Sequence, residues 1–155
     1  MKNVSKMVGV TLLEVMLVLA VAAMIIVMSV RYYQTATYNQ QTNTALSTIQ
    51  AITAAADGLS QGAGTYAAVT QTSISQLLPS SMVSGTTIST PWGGTVTIGA
   101  GSGQTYSVTF LLTPKTVCAS LSARLASNTK FTSVTSNCAA STQSFSYTYD
   151  NSQGG

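Results

Sequence analysis

A long apolar run near the N-terminus is the strongest feature of the hydrophobic pattern. The chain opens with the polar, basic stretch MKNVSKMVG and continues as VTLLEVMLVLAVAAMIIVMSV up to Arg31. These roughly twenty residues carry one charge and, as a helix, are long enough to cross a hydrocarbon core of about 30 Å. Because Lys2 and Lys6 precede the run, the positive-inside rule predicts a cytoplasmic N-terminus and an exported C-terminal body.

The helical pattern extends beyond the apolar run. No proline occurs before Pro79. Apolar residues recur at helical spacing on one face, at Ala45, Ile49, Ile52, Ala56 and Leu59. We predict one helix over residues 11–57, about 70 Å long at ~1.5 Å per residue and ended by Gly58. A head of this size cannot cover such a length, so the N-terminal half is expected to project. Two helices separated at residues 31–34 are the alternative.

The middle of the chain changes to turn-forming residues and then to β-type runs. Residues 59–90 are rich in Ser, Thr, Gly and Gln, and we expect a long loop with one helical turn before Pro79. Two alternating or β-branched runs, 95–98 and 105–112, then flank the turn GAGSG and predict a hairpin. The turn lacks the lysine and helix that follow the glycines of a phosphate-binding loop.

The C-terminal part completes an α+β head. A second helix is predicted from Pro114 through PKTVCASLSARLA. Its apolar stripe consists of Val117, Leu121 and Leu125. Strand character returns at residues 131–134 and 145–149. The predicted fold is therefore a small antiparallel sheet packed on the amphipathic half of the long helix.

The composition leaves few residues that could support catalysis or metal binding. Only 6% of residues are charged, there is no histidine, and the carboxylates are Glu14, Asp57 and Asp150. General bases, paired acids and metal ligands are nearly absent, so we predict no catalytic, cofactor or metal site and a protein that is not an enzyme. Six Lys and Arg over the whole chain also argue against specific nucleic-acid binding.

The two cysteines predict a structural bond. Cys118 and Cys138 do not form a C-x-x-C pair, and in an exported protein this favours a disulfide over metal or redox chemistry. It would close a loop of about twenty residues and stabilise the head by roughly 3 kcal/mol. Two free buried thiols are the alternative.

Glu14 is the most informative residue of the apolar run. A carboxylate in lipid costs several kcal/mol, so it is expected to have a partner or a role. An ordinary secretory signal cut after Ala20-Val21-Ala22 is one alternative, but the apolar run continues for eight residues beyond Ala22. A plain membrane anchor is another, and neither alternative explains Glu14.

The residues Gly9-Val10-Thr11-Leu12-Leu13-Glu14, followed by an apolar helix, resemble the class III signal of type IV prepilins. The resemblance implies that a prepilin peptidase cuts between Gly9 and Val10 and methylates the new amine of Val10. It implies four segments: a leader (1–9), a transmembrane and filament-core helix (10–31), the amphipathic half of that helix (32–57) and an α+β head (58–155).

This resemblance also gives Glu14 a partner. Cleavage leaves a positive amine at Val10, and a close ion pair recovers much of the cost of burying two charges. The family implies that the pair forms between neighbouring subunits, where it can set their axial register. A pair within one helix, and recognition of Glu14 by the peptidase or the assembly platform, are the alternatives. The stretches YYQTA, PWGG and VCASL resemble the type IVb branch, which includes bundle-forming, toxin-coregulated and conjugative thin-pilus pilins. In that branch two cysteines pin the C-terminal segment to the head, as expected for Cys118 and Cys138.

The implied function is that of a structural subunit, most like a major type IVb pilin, which polymerises into a filament for adhesion, aggregation or DNA transfer. Implied partners are identical subunits, the prepilin peptidase, an inner-membrane assembly platform and an outer-membrane secretin. The membrane holds the subunit before assembly, and a host or neighbouring cell surface meets the extracellular pilus. A minor pilin or a type II secretion pseudopilin is the alternative, and a monomeric membrane-anchored receptor head is a further one.

Overall fold

A single long helix opens the described part of the chain. The structure, a computed structural model that describes residues 11–154, places α1 at Leu12–Ser60 without interruption. The prediction of one helix is confirmed, and the break at residues 31–34 does not occur. Gly58 was expected to end the helix, but it lies inside the last turn. The helix ends at Ser60, and the chain turns away at Gly64, which has φ +65° and donates its N–H to the Ser60 carbonyl at 2.8 Å.

The chain divides into two units between Thr37 and Tyr38. The described part of the first unit is entirely helical. The second unit contains the rest of α1 and every other element of the described chain.

The segment after α1 has more structure than the predicted loop. A 3₁₀ turn at Tyr66–Ala68 is followed by α2 at Gln71–Leu77 and by two short strands, β1 at Val83–Ser84 and β2 at Thr87–Ser89. The Thr70 hydroxyl accepts the Ser73 N–H at 3.2 Å, and the Ser73 hydroxyl accepts the Thr70 N–H at 2.9 Å. This reciprocal cap begins α2 in a stretch with weak apolar periodicity, which is why the sequence pattern underestimated it.

One antiparallel sheet holds the remaining strands. The hairpin strands are β3 at Thr95–Ile98 and β4 at Thr105–Pro114, and they are followed by α3 at Lys115–Leu125. The last strands are β5 at Phe131–Thr132 and β6 at Thr142–Asp150, and the order across the sheet is β1-β2-β3-β4-β6-β5. The hairpin and α3 are confirmed. The strand predicted at 131–134 is shorter because Ser133 adopts φ +50° and turns the chain away.

The core lies between one face of this sheet and the second half of α1. Side chains alternate inward along β4 and β6 and are buried at Tyr106, Val108, Phe110, Phe145, Tyr147 and Tyr149. They meet the buried residues of α1, which are Thr42, Ala45, Thr48, Ile49, Ile52 and Ala56. The predicted α3 stripe of Val117, Leu121 and Leu125 is also buried. The α+β fold predicted from the sequence, a long N-terminal helix packed on a small antiparallel sheet, is confirmed.

A β-bulge interrupts β4 near its end. The pairing with β6 shifts between Phe110 and Thr113, and Leu112 adopts φ +56°. The indole N–H of Trp92 donates to the Leu111 carbonyl at 3.0 Å. Gly94 lies directly against the same carbonyl, so that a Cβ at this position would overlap it. The PWGG turn is therefore fixed to the bulge by a hydrogen bond and by a close backbone approach.

Candidate functional site

The described part of the first unit is a helix with an exposed apolar surface. Every residue from 11 to 30 is exposed, and its large hydrophobic side chains range from 43% exposed at Val15 to 77% at Leu12. The most apolar 18-residue window of α1 has a mean hydropathy of 2.7, enough by length and composition to cross a membrane. Exposed apolar surface of this extent marks contact with a membrane or with other protein.

Glu14 interrupts this apolar surface at the first turn of α1. Its side chain is exposed, and its backbone N–H donates to the Thr11 carbonyl at 3.0 Å. The partial positive charge at a helix N-terminus favours a carboxylate there. Within residues 11–30 it is the sole charged side chain. The structure therefore leaves one negative charge displayed on an otherwise apolar helix.

Hydroxyl groups in and beside the apolar segment are satisfied by the helix itself. Ser29 Oγ donates to the Ile25 carbonyl at 2.8 Å, and Thr35 Oγ1 donates to the Arg31 carbonyl at 3.0 Å. Thr37 Oγ1 makes the same bond to the Tyr33 carbonyl at 3.0 Å. These hydroxyl groups therefore need neither water nor a neighbouring protein as a hydrogen-bond acceptor.

The predicted processing site lies outside the described residues. Gly9 and Val10 precede the first described position, so cleavage between them and methylation of Val10 stay predictions. The assembly role of Glu14 is likewise a prediction.

The predicted disulfide is present. Cys118, fully buried on α3, is bonded to Cys138, twenty positions later in the segment between β5 and β6, with 5.8 Å between the Cα atoms. Gln143 Nε2 supports that segment by donating to the Asn137 carbonyl at 3.0 Å. The bond ties the C-terminal part of the chain to α3, and the alternative of two free thiols is wrong.

A cluster of tyrosines, which the sequence did not single out, lies in the head next to α1. The Tyr66 hydroxyl donates to Asp57 Oδ1 at 2.6 Å, and the Tyr106 hydroxyl donates to Thr53 Oγ1 at 3.3 Å. Burial raises the pKa of Tyr66, and the hydrogen bond to the Asp57 carboxylate raises it further. Burial also raises the pKa of Tyr106 and of Tyr147. The alternation FSYTYD in β6 was the available signal, since it places Tyr147 and Tyr149 on the core face.

The described part of the head has few side chains that could bind an ion. Among residues 11–154 no three His, Cys, Asp or Glu side chains lie close enough together to hold a metal ion. What the site provides is an apolar helix bearing one carboxylate, joined to a disulfide-bonded head.

A family model described as PilS N terminal matches residues 39–152. The match covers the amphipathic part of α1, the whole sheet and the disulfide. No curated protein and no solved structure matches the chain significantly.

Proposed function

Because the chain belongs to the PilS N-terminal family, a family of pilin-related domains, we propose that it is a structural subunit of a type IV pilus, of the major type IVb kind. The observation that carries the proposal is the exposed apolar half of α1 with its single carboxylate, Glu14. A subunit that is first anchored in lipid and then packed among identical copies requires such a helix.

Processing prepares the subunit for assembly. In this proposal a prepilin peptidase removes residues 1–9 on the cytoplasmic side and methylates the amine of Val10. Methylation keeps the positive charge of that amine. Residues 10–31 then serve as membrane anchor and filament core, residues 32–57 as the amphipathic half of the helix, and residues 58–155 as the head.

Glu14 and the Val10 amine form the pair that sets the register between neighbouring subunits. The carboxylate alone in a filament core would be a buried unpaired charge, and so would the amine. Breaking a buried pair by removing one member costs about 3–5 kcal/mol because the other charge stays uncompensated. A growing filament therefore favours the one axial offset at which the amine of one subunit meets the carboxylate of its neighbour.

The finished filament lies outside the cell. The subunit passes from the inner-membrane platform through an outer-membrane secretin, with its heads facing water. Removal of Lys2 and Lys6 with the leader changes the formal charge from +3 to +1, which is four cations minus three anions. Weak repulsion between nearly neutral heads favours lateral bundling, aggregation and adhesion to host or neighbouring cells, and the same fibre serves DNA transfer.

The test compares wild type with Glu14→Ala and the isosteric Glu14→Gln. We expect both variants to be processed, inserted and disulfide-bonded, while sheared surface filaments fall at least about tenfold, as loss of a buried pair requires. Wild-type filaments should give an intact mass that starts at N-methylated Val10 and lacks two hydrogens for the Cys118–Cys138 bond. Material that starts at Met1 or Ala23, or normal filaments from Glu14→Ala, would refute the proposal.

A further inference from the structure

A cavity opens on the head at the end of the sheet where the bulge interrupts β4. Its volume is about 410 Å³, within the range of about 300–1,000 Å³ that is usual for pockets that hold small ligands. Three segments line it, which are the PWGG turn with the start of β3, the bulge itself and the start of β6. We call it the bulge cavity, and its lining includes Gly94, Thr95, Leu111, Leu112, Thr142 and Ser144.

Leu112 adopts a conformation in the bulge that the subunit itself does not explain. Its φ of +56° lies in the left-handed region, which a leucine adopts at a cost because its Cβ comes close to a backbone carbonyl. Its side chain is 58% exposed, so most of its apolar surface stays in contact with water. Bulges re-aim side chains next to functional sites, and strained residues are concentrated at such sites. The strain at Leu112 therefore indicates contact with something outside the subunit.

The walls of the cavity are fixed by contacts within the head. The indole of Trp92 holds the PWGG turn to the Leu111 carbonyl. On the opposite wall Gln143 Nε2 donates to the Asn137 carbonyl at 3.0 Å and to Cys118 Sγ at 2.7 Å. These bonds join the start of β6 to the disulfide-bonded segment. A cavity with preformed walls binds a ligand at a lower cost in conformational entropy.

The lining restricts the chemistry of a ligand. No charged side chain lines the cavity, so a charged ligand would lose its hydration without meeting an opposite charge. The hydroxyls of Thr95, Thr142 and Ser144 make no side-chain hydrogen bond to any described residue. A purely apolar ligand would remove water from these hydroxyls and leave them unpaired. A neutral sugar meets both conditions, because it has apolar C–H groups and hydroxyls that donate and accept as those of Ser and Thr do.

We propose that the bulge cavity binds one sugar unit of an uncharged glycan. The C–H face of the ring packs on Leu111 and Leu112. The hydroxyls of the ring replace water at Thr95, Thr142 and Ser144. The inference goes beyond the proposed function, since the cavity belongs to the head alone and sugar binding requires no filament.

The first test titrates the full chain, in a detergent without a sugar headgroup, with neutral methyl glycosides of glucose, galactose, mannose, N-acetylglucosamine and N-acetylgalactosamine. Trp92, the single tryptophan of the sequence, lies beside the cavity and reports binding by its fluorescence. We expect a saturable change with at least one glycoside, the same affinity at low and high salt, and NMR amide shifts centred on the cavity. No saturable response to any of the five, shifts centred elsewhere, or a response to methyl glucuronide alone would overturn the proposal.

A pair of isosteric variants tests the hydroxyls. Thr95→Val should weaken binding of the responding glycoside about two- to tenfold, as loss of one hydrogen bond requires, while the Tm stays that of wild type. Thr97→Val is the matched control, because Thr97 is exposed on the same strand and does not line the cavity. Wild-type affinity in Thr95→Val, or equal losses in both variants, would contradict the proposal.

A third variant separates the apolar wall from folding. Leu112→Gly should have a Tm equal to or above that of wild type, because glycine adopts a positive φ without strain, and it should bind the glycoside more weakly. Wild-type affinity in this variant would show that Leu112 is not part of the site.

Dilution of the wild-type chain tests the other possible occupant, a second copy. If amide resonances of the cavity shift with protein concentration and no glycoside changes them, the cavity is a contact between copies and the proposal is wrong, while the proposed function stands. Failure of the wild-type chain to form filaments would instead overturn the proposed function and leave the result of the sugar titration valid.

Discussion

Two buried tyrosine hydroxyls in the head differ in their hydrogen bonding, and removing them should affect stability differently. Tyr66 is 1% exposed, and its hydroxyl donates to Asp57 Oδ1 at 2.6 Å. Tyr147 is also 1% exposed, but its hydroxyl has no hydrogen-bond partner among the described residues. The substitutions Tyr66→Phe and Tyr147→Phe delete the same atom from the same side chain.

The change in the free energy of unfolding depends on the hydrogen bond that each hydroxyl makes or lacks in the folded head. A hydrogen bond to a charged group contributes about 1.5–3 kcal/mol, so Tyr66→Phe should destabilise the head by that amount. A buried polar group without a partner costs about 1–3 kcal/mol, so Tyr147→Phe should be neutral or stabilising by up to that amount. The two variants should therefore differ by about 1.5–6 kcal/mol. For a domain of this size, a difference of about 3 kcal/mol corresponds to about 10–20 °C in Tm.

The measurement is thermal unfolding of the full chain in detergent, followed by near-ultraviolet circular dichroism of the buried aromatic side chains. Tyr38→Phe is a suitable control, because Tyr38 is 38% exposed on α1 and removal of its hydroxyl should leave the Tm unchanged. If Tyr147→Phe lowered the Tm as much as Tyr66→Phe, its hydroxyl would have a partner and the reasoning would be wrong.

Three further predictions concern the same head. Replacing Cys118 and Cys138 together by serine should lower the free energy of unfolding by roughly 3 kcal/mol for a loop of twenty residues, measured by urea titration, and an unchanged midpoint would contradict it. Gly94→Ala should destabilise the head and change the fluorescence of the neighbouring indole, because the new Cβ meets the Leu111 carbonyl, whereas Gly85→Ala should not disturb that fluorescence. Burial raises the pKa of Tyr147 in the folded head. The free energy of unfolding should therefore be constant up to the ordinary tyrosine pKa of about 10 and fall above it, because tyrosines of the unfolded chain lose their protons first. Tm values at pH 8 and 11 test this, and the fall should be smaller for Tyr147→Phe.

The sequence predicted those elements whose signals are local and repeated. The alternation in 95–98 and 105–112 is long enough to specify a hairpin, and its register, with Val96 opposite Phe110, follows from the buried face. The apolar run predicted a helix with exposed hydrophobic side chains. The disulfide followed from two cysteines in a chain that the sequence predicted to be exported.

The elements that the sequence missed depend on contacts between distant residues. Gln71 connects the start of α2 to the sheet, since its side chain accepts the Ile98 N–H at 2.7 Å and donates to the Thr86 carbonyl at 2.9 Å. No periodic pattern marks a glutamine for such a role. Strands of two or three residues, such as β1, form because a neighbouring strand pairs with them. Their own composition therefore does not predict them.

In the candidate site, too, the sequence predicted some features and missed others. Glu14 could be singled out because a lone carboxylate in an apolar run is an anomaly that sequence alone reveals. The bond between Tyr66 and Asp57 could not, because Tyr66 comes beside Asp57 only after the chain has left α1 and turned back in the 3₁₀ segment.

The hydroxyl of Ser29, bonded to the Ile25 carbonyl, bears on how one helix can change its surroundings. A serine that relied on water or on a neighbouring helix would have to exchange that partner when its helix moved from a bilayer into a fibre. Ser29 carries its acceptor with it. If the segment leaves lipid and enters a filament, as proposed, this hydrogen bond stays unbroken, because Ile25 lies on the same helix.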